Sequence, residues 1–199
     1  MMTVEQIHHW YYRNLDVKSR TIYFGPWQPS EEMVAENKSW EVNDWSIQNL
    51  IKGLYLLESI NKKAITIVWV SFGGDWDAGM AVYDYIKHLK SPITMKCYGR
   101  VRSMGTIILQ ACKKRLLAPN CLFLIHYGTA GTDPVETQNL LNFAKHIDKN
   151  NRTMENIYLR RIKEKHPKYT KKKLREEMPH DRYFTPHEAV YLGLADRVF

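Results

Sequence analysis

The chain has no apolar run long enough to cross a bilayer. Its longest, Ala64–Val70, is broken only by Thr66 and falls far short of the ~20 residues a spanning helix needs. The first twenty residues contain neither the apolar centre nor the small-residue cleavage site of a secretory leader, so no membrane association is expected and a cytoplasmic location is. Cysteine is scarce. Cys97, Cys112 and Cys121 are odd in number and none is spaced as C-x-x-C, which argues against a disulfide framework, a zinc knuckle or a redox pair. Free thiols in a reducing compartment are expected, with Cys97 and Cys121 buried and inert in apolar stretches. Acidic residues are in deficit, 21 against 29 Lys and Arg, for a net charge of +8. The densest basic run, Lys168–Arg175, is followed at once by Glu176 and Glu177 and reads as one solvated helix face. No zinc-finger spacing or stacking aromatics accompany it, so nucleic acid is not an expected partner. No internal repeat is evident.

What is present fits one soluble domain with an α/β pattern. Residues 1–20 form an N-terminal segment and 21–199 a single domain, with 26–45 as an expected insertion. Thr21–Phe24 reads as a short strand and 25–43 as a loop. Asp44 is expected to cap a helix whose stripe is Ile47, Leu50, Ile51, Leu54, Leu57 and Ile60, spaced by three and four. The strand Ala64–Val70 ends in Ser71-Phe72-Gly73-Gly74. Asp77 should cap a helix over 78–89, and Ile93–Tyr98 is the next strand. Gly99 breaks it, Ser103 should start a helix through Lys113, and 121–125 is a third buried strand. These strands read as apolar on both faces of a covered sheet. From Pro134 to Lys165 runs a helical stretch without Gly or Pro that would span about 45 Å. Its stripe of Leu140, Ala144, Ile147, Met154, Tyr158 and Ile162 needs a partner, for which a second copy of the chain is the natural choice. Thr185-Pro186-His187-Glu188 is a capping box, its helix stops at Gly193, and 195–199 is a last strand.

Three residues stand where chemistry is accessible. Ser103 follows a strand and opens a helix, so its hydroxyl lies in the positive field of unpaired helix N–H groups; it reads equally as a plain N-cap. His126 ends a core strand before Gly128 and Gly131, as a cleft residue or a satisfied core histidine. Asp181 lies between Pro179 and the capping box, and pairs either with a site residue or with Arg182. Gly73-Gly74 after a buried strand permits a close backbone approach or is a simple turn.

Together and in order, these segments resemble the Clp proteolytic-subunit family of serine peptidases. Ser71-Phe72-Gly73-Gly74 with Ala78-Gly79 and Tyr83-Asp84 is similar to that family's S-P-G-G…A-G-x-x-I-Y-D. Ser103-Met104-Gly105 is similar to its S-M-G, Leu124-Ile125-His126 to its M-I-H, and Asp181-Arg182-Tyr183-Phe184 to its D-R-F-S. The likeness runs over about residues 18–199. It implies a crotonase-like ββα superhelix with 134–165 as a protruding handle helix. It implies Ser103 as nucleophile, His126 as general base and Asp181 as its orienting carboxylate, with the backbone N–H groups of Gly73 and Met104 as oxyanion hole. Substrate would pair as an added strand beside Gly73-Gly74 and Gly128–Gly131. No metal or cofactor is implied. The implied partners are polypeptide substrates, further copies in stacked heptameric rings, and an ATP-driven (AAA+) unfoldase. A catalytically silent ring subunit is the alternative, followed by an acyl-CoA enzyme of the wider crotonase superfamily and a phage-type head-maturation peptidase. The chain departs from the family at Arg102, where a small residue precedes the nucleophile, at Phe72 in place of proline, and at Tyr127-Gly128 in place of Gln-Pro. Its N-terminal segment does not match the family's axial loop.

Overall fold

The computed structural model describes residues 3, 14–24, 41–128, 131, 136–178 and 180–199. Within them the chain forms, in order, β1 (Leu15–Asp16), β2 (Thr21–Tyr23), β3 (Glu41–Val42), α1 (Asp44–Ile60), β4 (Ile65–Ser71), β5 (Gly73–Gly74), α2 (Trp76–His88), β6 (Ile93–Arg102), α3 (Met104–Leu109), β7 (Lys114–Leu117), β8 (Leu122–Ile125), α4 (Thr137–Lys165), α5 (Lys171–Glu177), β9 (Arg182–Phe184), α6 (Pro186–Leu192) and β10 (Arg197–Val198). The main sheet runs β1-β2-β4-β6-β7-β10, and β8 and β9 extend it from the far half of β6. Its pairs are parallel except β1 with β2 and β8 with β9. β3 and β5 form a separate parallel pair.

The α/β reading holds, with one correction to the sheet. In β4 the residues Ile65, Ile67, Trp69 and Ser71 are buried, while Thr66, Val68 and Val70 are half-buried. One face is sealed and the other only partly covered, although both carry apolar side chains. Period-2 alternation sends successive side chains to opposite faces, so composition alone could not tell the two apart.

Caps fall one or two residues from where the sequence suggested. Asn43, not Asp44, caps α1: it is extended at φ −144°, its side chain accepts from the Ser46 N–H, and the Ser46 side chain answers the Asn43 N–H. Asp75, not Asp77, caps α2, accepting from the Ala78 N–H. Asp44 and Asp77 sit in the first turns, where a carboxylate still favours the helix dipole. At the other end of α1 the Arg20 guanidinium donates to the carbonyls of Leu57, Asn61, Lys63 and Ala64. Those bonds tie the end of α1 and the turn after it to the start of β2. The stretch read as a loop over 25–43 contains β3 at its end; residues 25–40 of it lie outside the described residues.

The helix expected from Ser103 through Lys113 is only six residues long. The N–H groups of Gln110, Ala111 and Cys112 then reach back three residues, tightening the chain. Arg161 of α4 takes the Gln110 and Cys112 carbonyls at 2.6 and 3.0 Å. A tertiary contact thus ends α3, and the chain returns as β7. The strand expected to break at Gly99 instead runs on through it to Arg102, and Gly99, with a φ of 59° that glycine adopts readily, marks only a change of partner. Thr94–Cys97 pairs with β7, whereas Arg100–Arg102 pairs with β8.

α4 has 29 residues, about 44 Å at 1.5 Å per residue. Its second half buries Met154, Ile157, Tyr158 and Ile162, while Leu140 and Leu141 in its first half are 49% and 51% exposed. Thr185 and Glu188 form the expected capping box of α6, and Gly193 closes it. Only Arg197–Val198 of the expected last strand joins the sheet. The three cysteines are free and buried. Burial pushes the Cys112 and Cys121 thiols up to about 12, out of reach of thiolate chemistry at neutral pH.

Candidate active site

Ser103 is the single residue between β6 and α3. Its φ of 48° and ψ of −127° are uncommon for a residue with a Cβ and store strain of order 1–3 kcal/mol. Three bonds hold that conformation. The Ser103 N–H donates to the Leu124 carbonyl at 2.9 Å, and the Ser103 carbonyl accepts from the Thr106 N–H at 2.9 Å and the Thr106 hydroxyl at 2.6 Å. The Thr106 hydroxyl also lies 2.6 Å from the Tyr158 hydroxyl of α4. Thr106 has one proton and gives it to Ser103, so Tyr158 is the donor in that pair. Burial raises the Tyr158 phenol above its ordinary value and keeps it protonated for the task. The Ser103 hydroxyl makes no capping bond. The plain N-cap reading of this serine therefore fails.

Gly73 comes against the same turn. A Cβ built on it would stand 2.6 Å from the Ser103 Cβ, 3.0 Å from the Arg102 carbonyl oxygen and 3.1 Å from the Met104 nitrogen. No other residue allows β5 so near the serine. The Met104 N–H, first in α3, has no intrahelical acceptor by position. The Gly73 N–H donates to the Ser71 hydroxyl at 3.1 Å. One edge of Gly73–Gly74 carries Glu41–Val42 in parallel register.

His126 and Asp181 are brought together by sheet register. β8 and β9 pair Leu124 with Tyr183 and Ile125 with Arg182. One step further along that ladder sets His126 opposite Asp181, where cross-strand neighbours stand close enough to interact. His126 Nδ1 lies 3.2 Å from Asp181 Oδ1. The Tyr183 hydroxyl donates to Asp181 Oδ2 at 3.3 Å. The alternative partner, Arg182, instead lies over the Phe184 ring, 5.2 Å from its centroid. On the other side of β8, Arg102 pairs with Leu124, so Ser103 is level with Ile125 and one residue from His126. Adjacent strand ends thus set the three residues at neighbouring positions of the ladder. Between Ser103 and His126 no hydrogen bond forms: His126 Nε2 is sealed from solvent and has no partner among the described residues.

Beneath the site a buried carboxylate ties it to the long helix. Glu155 of α4 is 3% exposed and accepts from the Tyr127 hydroxyl at 2.6 Å and from Arg175 at 2.8 and 2.9 Å. Lys171 stands 3.2 Å away. Burial alone would raise the Glu155 pKa, but the Arg175, Tyr127 and Lys171 bonds outweigh it and hold the carboxyl below its usual range. Burial and Glu155 together push Tyr127 up to about 12. The residue following His126 is therefore fixed from below. Sequence reading missed Thr106, Tyr158, Tyr183, Tyr127 and Glu155. Two were within reach: Tyr183 shares a strand face with Asp181, and Thr106 follows Ser103 by the three residues of a helical turn.

Gly128 and Gly131 are exposed with open space at the Cβ position. Residues 129–130 of the expected substrate strand lie outside the described residues. A cleft of about 520 Å³, lined in part by Lys87, Lys90, Lys113 and Glu164, contains none of Ser103, His126 or Asp181. Among the described residues no group of His, Cys, Asp or Glu is arranged to hold a metal. No helix among them is long and apolar enough to cross a membrane.

The arrangement offers an alcohol on a strained turn, an imidazole oriented by a carboxylate, and backbone N–H groups beside the alcohol. Those are the parts of acyl transfer through a tetrahedral intermediate. Comparison with known proteins gives the same direction. The Clp protease family matches residues 35–199. The ATP-dependent Clp protease proteolytic subunit of Deinococcus radiodurans is 31% identical over 189 residues, covering 92% of this chain and 81% of that one.

Proposed function

The chain belongs to the Clp protease family, and from that premise we propose that it is an active serine endopeptidase whose nucleophile, base and orienting acid are Ser103, His126 and Asp181. Asp181 accepts a hydrogen bond from the Nδ1–H of His126, which leaves the unprotonated Nε2 as the base. Nε2 takes the Ser103 proton as Oγ attacks the peptide carbonyl, then returns it to the leaving amine. The negative oxygen of the intermediate is met by the N–H groups of Met104 and Gly73. The Gly73 N–H must first exchange its bond to Ser71 for one to the oxyanion; each such donor is worth about 10²–10³ in rate. Gly74, Gly128 and Gly131 line the path of an extended substrate, which adds as a strand.

The observation that carries this reading is the His126–Asp181 pair, at 3.2 Å, one ladder step from a strained serine whose hydroxyl makes no capping bond. Family membership supports a crotonase-like superhelix, with α4 as the handle between stacked heptameric rings. It also supports a Clp ATPase as the unfolding partner, since the Deinococcus relative is by its description ATP-dependent. The half-exposed Leu140 and Leu141 support packing of α4 against another copy. Three free, buried cysteines suit a reducing, cytoplasmic setting.

A silent ring subunit is the second reading. It is favoured by the partnerless His126 Nε2 and by the Gly73 N–H being committed to Ser71. A fluorophosphonate probe on the assembled protein separates the two. The peptidase labels at Ser103, and Ser103→Ala loses both labelling and peptide cleavage while still assembling. Absence of labelling, or labelling that persists in Ser103→Ala, would favour the silent subunit.

A further inference from the structure

The strand that delivers the nucleophile carries two arginines that meet no carboxylate among the described residues. Arg100 and Arg102 are two residues apart at the end of β6, hence on the same face. Both guanidinium groups lie over the ring of Phe72, at 4.3 and 5.6 Å from its centroid. Phe72 directly precedes Gly73, the glycine in contact with the Ser103 turn. Phe72, Arg100 and Arg102 are all half-buried, and so is Ser103. Among the described residues neither arginine meets a carboxylate, although eight Lys or Arg pairs with carboxylates form elsewhere. Arg102 Nε is moreover sealed from solvent with no hydrogen-bond partner. A buried donor left unpaired is destabilising and marks a position held for some reason other than stability.

We infer that Arg100 and Arg102, stacked on Phe72, form a subsite for a carboxylate side chain on the substrate next to the bond cleaved by Ser103. This rests on the peptidase reading and adds to it the class of substrate. Cation–π contact with the ring limits the rotation of both guanidinium groups. Their terminal Nη groups then present planar paired donors that suit a carboxylate. Two cations on the strand that ends at the nucleophile repel basic side chains and attract acidic ones, so the subsite discriminates in both directions. An aspartate or glutamate flanking the scissile bond is the chemistry that fits.

The test uses the assembled full-length protein and fluorogenic peptides that differ at one position beside the scissile bond: Glu, its neutral isostere Gln, Leu or Lys. The expected kcat/KM for the Glu peptide exceeds that for Gln by about tenfold or more, carried mainly by KM, and shrinks as salt rises. Arg102→Gln and Arg100→Gln collapse the Glu-to-Gln ratio towards one, and Arg102→Lys keeps part of it, because charge persists without the planar fork. Fluorophosphonate labelling of Ser103 in each variant reports that the nucleophile turn is folded. Normal labelling with no acidic preference in the unaltered protein overturns this inference alone. So does a Glu-to-Gln ratio unmoved by both substitutions, or a loss of rings in Arg102→Gln that lowers all peptides equally and marks the arginines as a contact between copies. Absence of any labelling in the unaltered protein overturns the peptidase reading and this inference with it.

Discussion

Replacing Gly73 by alanine adds one carbon at the most crowded point of the site. That carbon would stand 2.6 Å from the Ser103 Cβ and 3.0 Å from the Arg102 carbonyl oxygen, on a backbone with φ of 101°. Carbon atoms rest about 3.5–4.0 Å apart, so the serine turn and β5 must separate by roughly 1 Å. A φ of that kind costs of order 1–3 kcal/mol in any residue with a Cβ, and overpacking adds about 1–3 kcal/mol. Partial relaxation brings the expected loss to about 2–4 kcal/mol of unfolding free energy. The atom that must yield belongs to Ser103, and a displacement of about 1 Å at a reacting group lowers rate by about 10²-fold. Urea unfolding gives the stability and the rate of fluorophosphonate labelling gives the nucleophile's competence. Gly99→Ala is the control: its φ of 59° is also unfavourable, but no atom lies within 4 Å of the added carbon. It should lose only about 1 kcal/mol and label nearly as fast. A Gly73→Ala protein within about 0.5 kcal/mol of the parent and labelled at an equal rate would refute the packing argument.

Asp181→Asn should lower kcat/KM by roughly 10³–10⁴ through loss of the correct imidazole tautomer. Thermal unfolding should barely change, because the Asp181 side chain is 53% exposed; activity within tenfold of the parent would remove Asp181 from its proposed role. Glu155 should make the fold acid-sensitive. Its carboxyl titrates below its ordinary 4.5 when folded, so its share of stability is present above about pH 4.5 and is lost as pH falls through the folded pKa. Glu155→Gln should cost about 1–2 kcal/mol at pH 7, less than a fully buried pair because Arg175 is 51% exposed. That difference should narrow as pH falls below about 4.5, read as urea midpoints across pH; a constant gap would show that charge at Glu155 is not what stabilises the fold.

Local chemistry was legible in the sequence where a few contiguous residues carry the signal. The capping box at Thr185 and Glu188 and the stop at Gly193 were read in place. The uninterrupted helix over 137–165 was read to within three residues, because nothing in that stretch breaks a helix. Where two neighbours compete for one role, the signal blurs. Asn43 and Asp44 can each cap, as can Asp75 and Asp77, and the choice depends on which residue the incoming strand leaves extended. The early end of α3 was hidden because Arg161, some fifty residues later, collects the carbonyls that terminate it.

The candidate site divides along the same line. Residue types and their order pointed to Ser103, His126 and Asp181 and to a family of peptidases, since motif and spacing are properties of the chain itself. How near these groups stand is decided by the ladder between β8 and β9, and a slip of one residue there would turn Asp181 to the opposite face. The bond from Gly73 to Ser71, the anchoring of Ser103 through Thr106 and Tyr158, and the stacking of Arg100 and Arg102 on Phe72 likewise exist only in three dimensions. Each joins segments whose side-chain conformations are set by packing, and packing depends on every element at once.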